Sequence, residues 1–272
     1  MQARLAYGNP LSIMLAMARV GFASYIAYPA GIFMVFLSYP IIIMMYRYVM
    51  QALYANAEKL AGYDLQAMLT YVTVSWLLNT FYMTPTGRNL GARVRDGQVA
   101  MDLIKPVNLM LIYFGQSLGR TAFRAVFATL PLLAVFMFVT HINGPSPGYL
   151  PMLIPAVIQG YLLNFTMDYI IGLIAFYIGF NMGIRWAIRM IMGIAGGMVI
   201  PLAYFPDGIR WFFELFPTQY MFYQPMQIYL GRVTTTEAWI LVMKSLLWLL
   251  FLLLFAQVMQ WGGRRRLSVS GG

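Results

Sequence analysis

The chain has 272 residues, of which 61% are hydrophobic and only 10% are charged, and its formal net charge is +10. Soluble domains average about 25% charged residues, so this composition excludes an ordinary soluble enzyme and a disordered chain and indicates a membrane protein. Cysteine is absent and there is one histidine. We therefore expect no disulfide, no thiol chemistry and no metal site in this chain.

The predicted elements form one transmembrane domain over 1–272. An interfacial helix at 9–24 precedes six apolar spans, each long enough to cross about 30 Å of hydrocarbon. These segments are too long and too continuously apolar for barrel strands, so the predicted fold class is all-α. The predicted spans are 25–49, 65–83, 117–140, 150–178, 186–204 and 238–261.

The positive charge is unevenly distributed along these spans. When the N-terminus is placed in the cytoplasm, all but five of the 18 Lys and Arg residues fall on the inner side. The exceptions are Arg47, Lys59, Arg210, Arg232 and Lys244. We interpret the net charge as the determinant of topology and not as a nucleic-acid surface, which predicts that both termini lie in the cytoplasm.

The predicted outer segment 205–237 is aromatic but interrupted by Pro206, Pro217 and Pro225. Apolar sequence that cannot cross is expected to lie in the interface or to enter the membrane and return where protein shields its backbone. We predict two short helices, at about 207–216 and 218–229, that cover the outer end of the bundle. Aromatic residues beside them, including Tyr204 and Phe205, are interpreted as an interfacial belt or, alternatively, as an outer gate.

The segment 93–108 is part of the most charged stretch of the chain. Gly97 can end one helix, and 99–104 can form a short amphipathic helix with Val99, Leu103 and Ile104 on one side. The Lys-Pro pair at 105–106 would end it, because the residue before a proline disfavours the helical conformation. Two interpretations remain open: a solvated loop anchored to lipid headgroups, and a helix that docks into a cytoplasmic partner.

The run Arg95-Asp-Gly-Gln-Val-Ala-Met-Asp-Leu-Ile-Lys-Pro-Val-Asn108 resembles the loop after the second span in ABC-2-type exporter permeases, also called type V exporters. The nearest pattern is that of a bacterial six-span subfamily, which implies a multi-pass protein of the bacterial inner membrane. The order of interfacial helix, spans and outer re-entrant helices is similar as well. By this resemblance, the residues that contact the ATPase are Arg95, Gly97, Val99, Asp102, Leu103, Ile104, Lys105 and Pro106.

The resemblance implies a permease subunit of an ATP-driven exporter that moves a hydrophobic or amphipathic substrate outward from the cytoplasm or the inner leaflet. Its implied partners are a dimer of ABC ATPase subunits and a second permease chain, either identical or a related paralogue. This chain has no Gly-x-x-x-x-Gly-Lys-[Ser/Thr] run, so it is not expected to hydrolyse ATP. ATP and Mg²⁺ would be bound by the partner.

Asp168 is an acid within the fourth predicted span and departs from that family pattern. An intramembrane carboxylate costs at least about 2.5–3.5 kcal/mol on insertion scales. One interpretation is an ion pair with Arg124, Arg185 or Arg189. The other is a proton or cation site, which would favour the alternative function of a proton- or ion-coupled secondary transporter.

Two further patterns concern helix faces. Gly193 and Gly197 have the small-xxx-small spacing that lets helices approach closely, and by resemblance they would lie near the permease interface or the translocation path. Arg120 and Arg124 form an i, i+4 pair, as do Arg185 and Arg189. Such pairs anchor a helix to anionic headgroups or, alternatively, attract an anionic substrate headgroup.

Overall fold

The computed structural model describes residues 9–27, 30–179 and 182–266. Within these ranges the chain is helical, and the bridge between Leu60 and Tyr63 is isolated. The α-helices in chain order are α1 (Pro10–Ala27), α2 (Ala30–Leu53), α3 (Leu65–Tyr82), α4 (Thr86–Arg95), α5 (Val99–Ile104), α6 (Leu109–Arg124), α7 (Leu130–Val139), α8 (Leu150–Leu173), α9 (Ala175–Ile178), α10 (Met182–Ala195), α11 (Asp207–Glu214), α12 (Tyr223–Tyr229) and α13 (Thr235–Arg264).

Five helical segments of the described chain are long and apolar enough to cross a membrane. They are Pro10–Ala27, Phe33–Leu53, Leu109–Val139, Pro147–Ile178 and Thr235–Arg264. Helix α3 has the length of a span, but its Thr, Ser and Asn side chains make it less apolar than these five segments. Helix α1, predicted as interfacial at 9–24, has the length and composition of a span and ends three residues later than expected.

The third long segment begins earlier than the predicted span at 117–140. Helix α6 starts at Leu109, where the Asn108 side chain accepts a 2.9 Å hydrogen bond from the Met110 N–H. A π-helical turn at Ala125–Thr129 then joins α6 to α7. The extra turns of α6 pack along α1, and they form one wall of the pocket described below.

The predicted continuous helix at 186–204 is wrong. Helix α10 has 14 residues, about 21 Å of rise, and ends at Ala195. The reason is Gly197, whose φ of +76° is a conformation that favours glycine, and a hydrogen bond from the Met198 N–H to the Gly193 carbonyl closes the turn. A 3₁₀ turn follows at Leu202–Tyr204.

Helix α8 is the centre of the bundle. Its side chains Leu163, Tyr169 and Leu173 are fully buried, and α13 packs along its length. Helix α4 turns back onto the end of α8 near Leu173, and α12 packs against α8 as well. The connection α3–α4–α5–α6 therefore places the charged segment at one end of the bundle, which we call the α5 end.

The opposite end is the α11 end, formed by α11, α12 and the turns beside them. The prediction of two short helices in this segment is confirmed in outline, although a 3₁₀ turn at Pro217–Tyr220 separates them. Helix α12 packs into the bundle with Met226 and Ile228 fully buried, whereas α11 has no buried residue. The segment is therefore embedded through α12 and exposed through α11.

Candidate coupling site and the buried ion pair beneath it

Helices α4 and α5 form a helix–turn–helix unit at the α5 end. The turn between them contains Gly97 at φ +72°, and a Cβ placed there would have no neighbour within 4 Å. Gly97 is thus needed for its backbone conformation and not for space. Lys105, in extended conformation before Pro106, ends α5. The predicted limits of this short helix agree with the structure.

Asp102 holds α5 against α4. Its Oδ2 accepts a 2.6 Å hydrogen bond from Arg93 Nε, and its Oδ1 accepts a 2.9 Å bond from Lys105 Nζ. The carboxylate is nearly buried, so it is a structural clamp and not a group on the outer surface. Val99, the first residue of α5, is completely buried in the same apolar cluster as Leu109. This packing also holds the start of α5 in place.

The exposed face of α5 differs from the predicted one. Val99 and Leu103 turn inward, but Ile104 is 76% exposed. Five helical positions correspond to about 500°, so Val99 and Ile104 point about 140° apart. The outer face instead pairs Ile104 with Met101, which is 66% exposed and which the sequence analysis missed. Their i, i+3 spacing, which places both residues on one helix face, is the sequence signal that could have identified this pair.

Charged and rigid groups border this apolar face. Lys105, Pro106 and Arg95 are exposed, and Arg95 Nε donates a 2.9 Å hydrogen bond to Asp96 Oδ1. That hydrogen bond lowers the pKa of the Asp96 carboxyl below its usual value. The tip of the unit therefore presents two apolar side chains within a charged rim, an arrangement typical of a protein docking surface.

Asp168 lies beneath this unit and is fully buried in α8. Its Oδ2 accepts a 2.7 Å hydrogen bond from the Gly87 N–H in the first turn of α4. Its Oδ1 lies 3.3 Å from Arg189 Nη1 and 3.5 Å from Arg185 Nη2, both on α10. Two of the three candidate partners thus form the ion pair, whereas Arg124 lies elsewhere.

Helix α4 can reach Asp168 because it approaches α8 at glycines. A Cβ at Gly87 would overlap the Asp168 carbonyl oxygen, and a Cβ at Gly172 would lie 3.0 Å from the Gly87 Cα. One carboxylate therefore joins three helices: α4 and α8, whose backbones are in close contact here, and α10, which reaches it through two arginine side chains.

The other predicted positions lie away from the α5 end. Gly193 and Gly197 do not share a helix face, because α10 ends between them. A Cβ at Gly193 meets only the Met198 Cε, at 3.6 Å, whereas one at Gly197 would lie 3.0 Å from the Tyr71 hydroxyl. The small-xxx-small interpretation of this pair is wrong, and Gly197 instead packs within the chain.

Tyr204 and Phe205 belong to the α11 end. The Tyr204 hydroxyl lies 2.7 Å from the Tyr54 hydroxyl, and the Phe205 ring packs edge-on against Phe213 with centroids 5.3 Å apart. Both side chains are half-buried. They pack against the loop after α2 and against α11.

The small-residue pair that does join two helices was missed by the sequence analysis. It is Gly115 and Gly119 of α6, which share the spacing of Gly193 and Gly197. A Cβ at Gly119 would overlap the Ala18 carbonyl oxygen, and one at Gly115 would lie 2.7 Å from the Met14 carbonyl oxygen.

In the part of the chain that the structure describes, no group of three His, Asp or Glu residues could hold a metal ion.

A comparison with protein families identifies the chain. The model described as "ABC-2 family transporter protein" matches residues 37–270, which include α5, the Asp168 ion pair and the α11 end. Among curated proteins, none matches. The family match confirms the resemblance to ABC-2-type permeases and, with the apolar helices, supports a multi-pass membrane protein. This chain belongs to the ABC-2 transporter family and is the membrane component, not the ATPase, of an ABC-type transporter.

Proposed function

We propose that the chain is the permease subunit of an ATP-driven exporter and that the exposed face of α5 inserts into its ATPase partner. The observation that carries the docking proposal is the pair Met101 and Ile104, which are 66% and 76% exposed on a helix clamped by Asp102. Two large apolar side chains at a charged tip bury favourably only against another surface.

The ion pair at Asp168 supports a route for movement. A displacement of α5 moves α4, because the Asp102 carboxylate on α5 accepts a hydrogen bond from Arg93 on α4. Helix α4 is in turn bonded through Gly87 to Asp168 of α8, and Asp168 pairs with Arg185 and Arg189 of α10. In this proposal, closure of the ATPase pair pulls three helices together and opens an outward path for a hydrophobic or amphipathic substrate.

The exporter needs a complete translocation unit. We infer a second permease chain, identical or paralogous, and a pair of ATPase subunits that bind ATP and Mg²⁺. We also infer that the α5 end is cytoplasmic, since most basic residues lie there, and that the bilayer is the bacterial inner membrane. The alternative, a carrier that protonates Asp168, has less support because both carboxylate oxygens already have partners.

Co-purification tests the docking proposal. The tagged chain is extracted with detergent from the membranes of its native host, and the amount of Walker-motif ATPase that it retains is measured. Ile104→Asp should reduce retention at least tenfold. The matched control is Ile209→Asp, the same change at an exposed position of α11, which should retain the ATPase fully. Equal retention by both variants, or transport by the chain alone under a proton gradient, would contradict the proposal.

A further inference from the structure

A pocket of about 710 Å³ opens between α1, α4, α5 and α6 at the α5 end. Part of its wall is apolar and comes from Ile13 and Met17 of α1 and Ile112 of α6. Another part carries the cationic side chains Arg93, Lys105 and Arg120. The pocket therefore combines a hydrocarbon surface with positive charge, which is the combination that matches an anionic amphiphile.

The acidic residues of the pocket are already compensated. Asp102 is bonded to Arg93 and Lys105, and Asp96 is bonded to Arg95. Arg120 has a different environment, because its described contact is a 3.4 Å hydrogen bond from Nε to the Ser24 hydroxyl on α1. Within the described residues no carboxylate pairs with Arg120, so its charge is available to a ligand.

A second guanidinium lies one helical turn beyond Arg120 on the same side of α6. Arg124 is 2% exposed, and its Nη2 donates a 3.4 Å hydrogen bond to the Thr121 hydroxyl. Its Nε and Nη1 are buried and have no hydrogen-bond partner. A buried cation with unmet donors is costly, and such groups in native proteins usually have an acceptor or an ion that satisfies them.

We propose that the pocket between α1 and α6 binds the anionic headgroup of an amphiphile, with Arg120 as its direct contact. A phosphate or carboxylate group accepts two parallel hydrogen bonds from one guanidinium, which gives both affinity and orientation. The first carbons of the tail contact Ile13 and Met17, and the rest of the tail extends into the lipid along α1. Arg124 strengthens the site by adding positive charge behind Arg120.

This inference deepens the proposed function and rests on it for one point, that such an amphiphile is a substrate entering from the inner leaflet. Binding itself does not depend on the ATPase. Failure of the ATPase co-purification and failure of amphiphile binding are therefore separate results.

A lipid titration of the purified full-length chain in neutral detergent tests the proposal. The probe is phosphatidylglycerol with an acyl-chain fluorophore. Arg120→Gln should weaken its binding about tenfold, the usual effect of losing a charge-assisted hydrogen bond. The matched control is Arg264→Gln, which removes an exposed positive charge from the last turn of α13 and should change binding less than twofold.

Two further variants keep the test decisive if Arg120→Gln fails to fold. Ala16→Phe fills the pocket without changing charge and should also weaken binding. Arg124→Met should leave the ligand-free chain at least as thermostable as the wild type, since it removes a buried charge with two unbonded nitrogens, yet reduce the stabilisation that phosphatidylglycerol provides.

Three results would overturn the proposal. Equal losses for Arg120→Gln and Arg264→Gln would mean that surface charge in general attracts the lipid. Binding of phosphatidylcholine as tightly as phosphatidylglycerol would show that the headgroup charge does not matter. Displacement of the labelled lipid by equimolar inorganic phosphate would show that the apolar wall contributes nothing and that the ligand is a free anion.

Discussion

The carboxylate of Asp168 accepts a 2.7 Å hydrogen bond from the backbone N–H of Gly87, 81 positions earlier in the chain. The donor lies in the first turn of α4, where the helix dipole also favours a negative charge. The same carboxylate faces Arg185 and Arg189 of α10. Asp168 thus connects the segment that carries α5 to the centre of the bundle.

Removing the charge of Asp168 should destabilise the bundle. In Asp168→Asn, two largely buried guanidinium groups lose their counter-ion, and breaking a buried ion pair costs about 3–5 kcal/mol. We expect a lower thermal unfolding temperature in detergent and a lower yield of the complex with the ATPase. Normal stability and yield combined with an altered pH dependence of transport would instead support the proton-coupled alternative.

Adding one methyl group at Gly87 should separate α4 from α8. The Cβ of Gly87→Ala would overlap the Asp168 carbonyl oxygen, which is backbone and cannot move aside. Overpacking of this kind costs about 1–3 kcal/mol. The unfolding temperature of Gly87→Ala should fall, and that of Gly208→Ala, at a position with open space around it, should not. Equal values for the two variants would show that α4 is not held tightly.

The same reasoning applies to α1 and α6. Gly119→Ala places a Cβ against the Ala18 carbonyl oxygen, so it should displace α1 and lower thermal stability. Gly193→Ala is the control within the chain, because its nearest neighbour is the flexible end of Met198. A larger effect at Gly193 than at Gly119 would contradict this packing and would indicate that α10 packs closely at Gly193.

The clamp on α5 can be loosened without changing its apolar face. Asp102→Asn removes the charge that holds Arg93 and Lys105, so α5 should lose its fixed orientation and ATPase activity in the complex should respond less to the permease. Asp96→Asn is the control, since Asp96 is exposed and bonds only its neighbour Arg95 among the described ion pairs. Stimulation of the ATPase is the measurement, and equal stimulation by both variants would argue against a clamp.

The absence of cysteine makes the topology directly measurable. Gln98→Cys labels the turn before α5, and Gly208→Cys labels the exposed helix α11. With a membrane-impermeant maleimide on intact cells, Gly208→Cys should react and Gln98→Cys should react only after the membrane is opened. The reverse pattern would place the α5 end outside.

The amino-acid sequence was sufficient for properties that depend on composition and local order. A deficit of charge and long apolar runs predict membrane helices, because hydrocarbon solvates neither charges nor free backbone groups. Local signals also placed α5 correctly, because Gly97 and the Lys-Pro pair at 105–106 change the backbone conformation of only a few neighbouring residues. The family resemblance depended on the same contiguous stretch.

Contacts between distant segments could not be obtained in this way. Periodicity indicates which residues share a helix face, but it does not say which face meets which. The sequence analysis therefore singled out Gly193 and missed Gly115, although each is followed by a second glycine at the same spacing. Only the packed bundle separates them, because α10 ends at Ala195 whereas α6 continues beside α1. The partners of Asp168 were likewise a choice among three arginines until the folding of α4, α8 and α10 placed two of them within 4 Å.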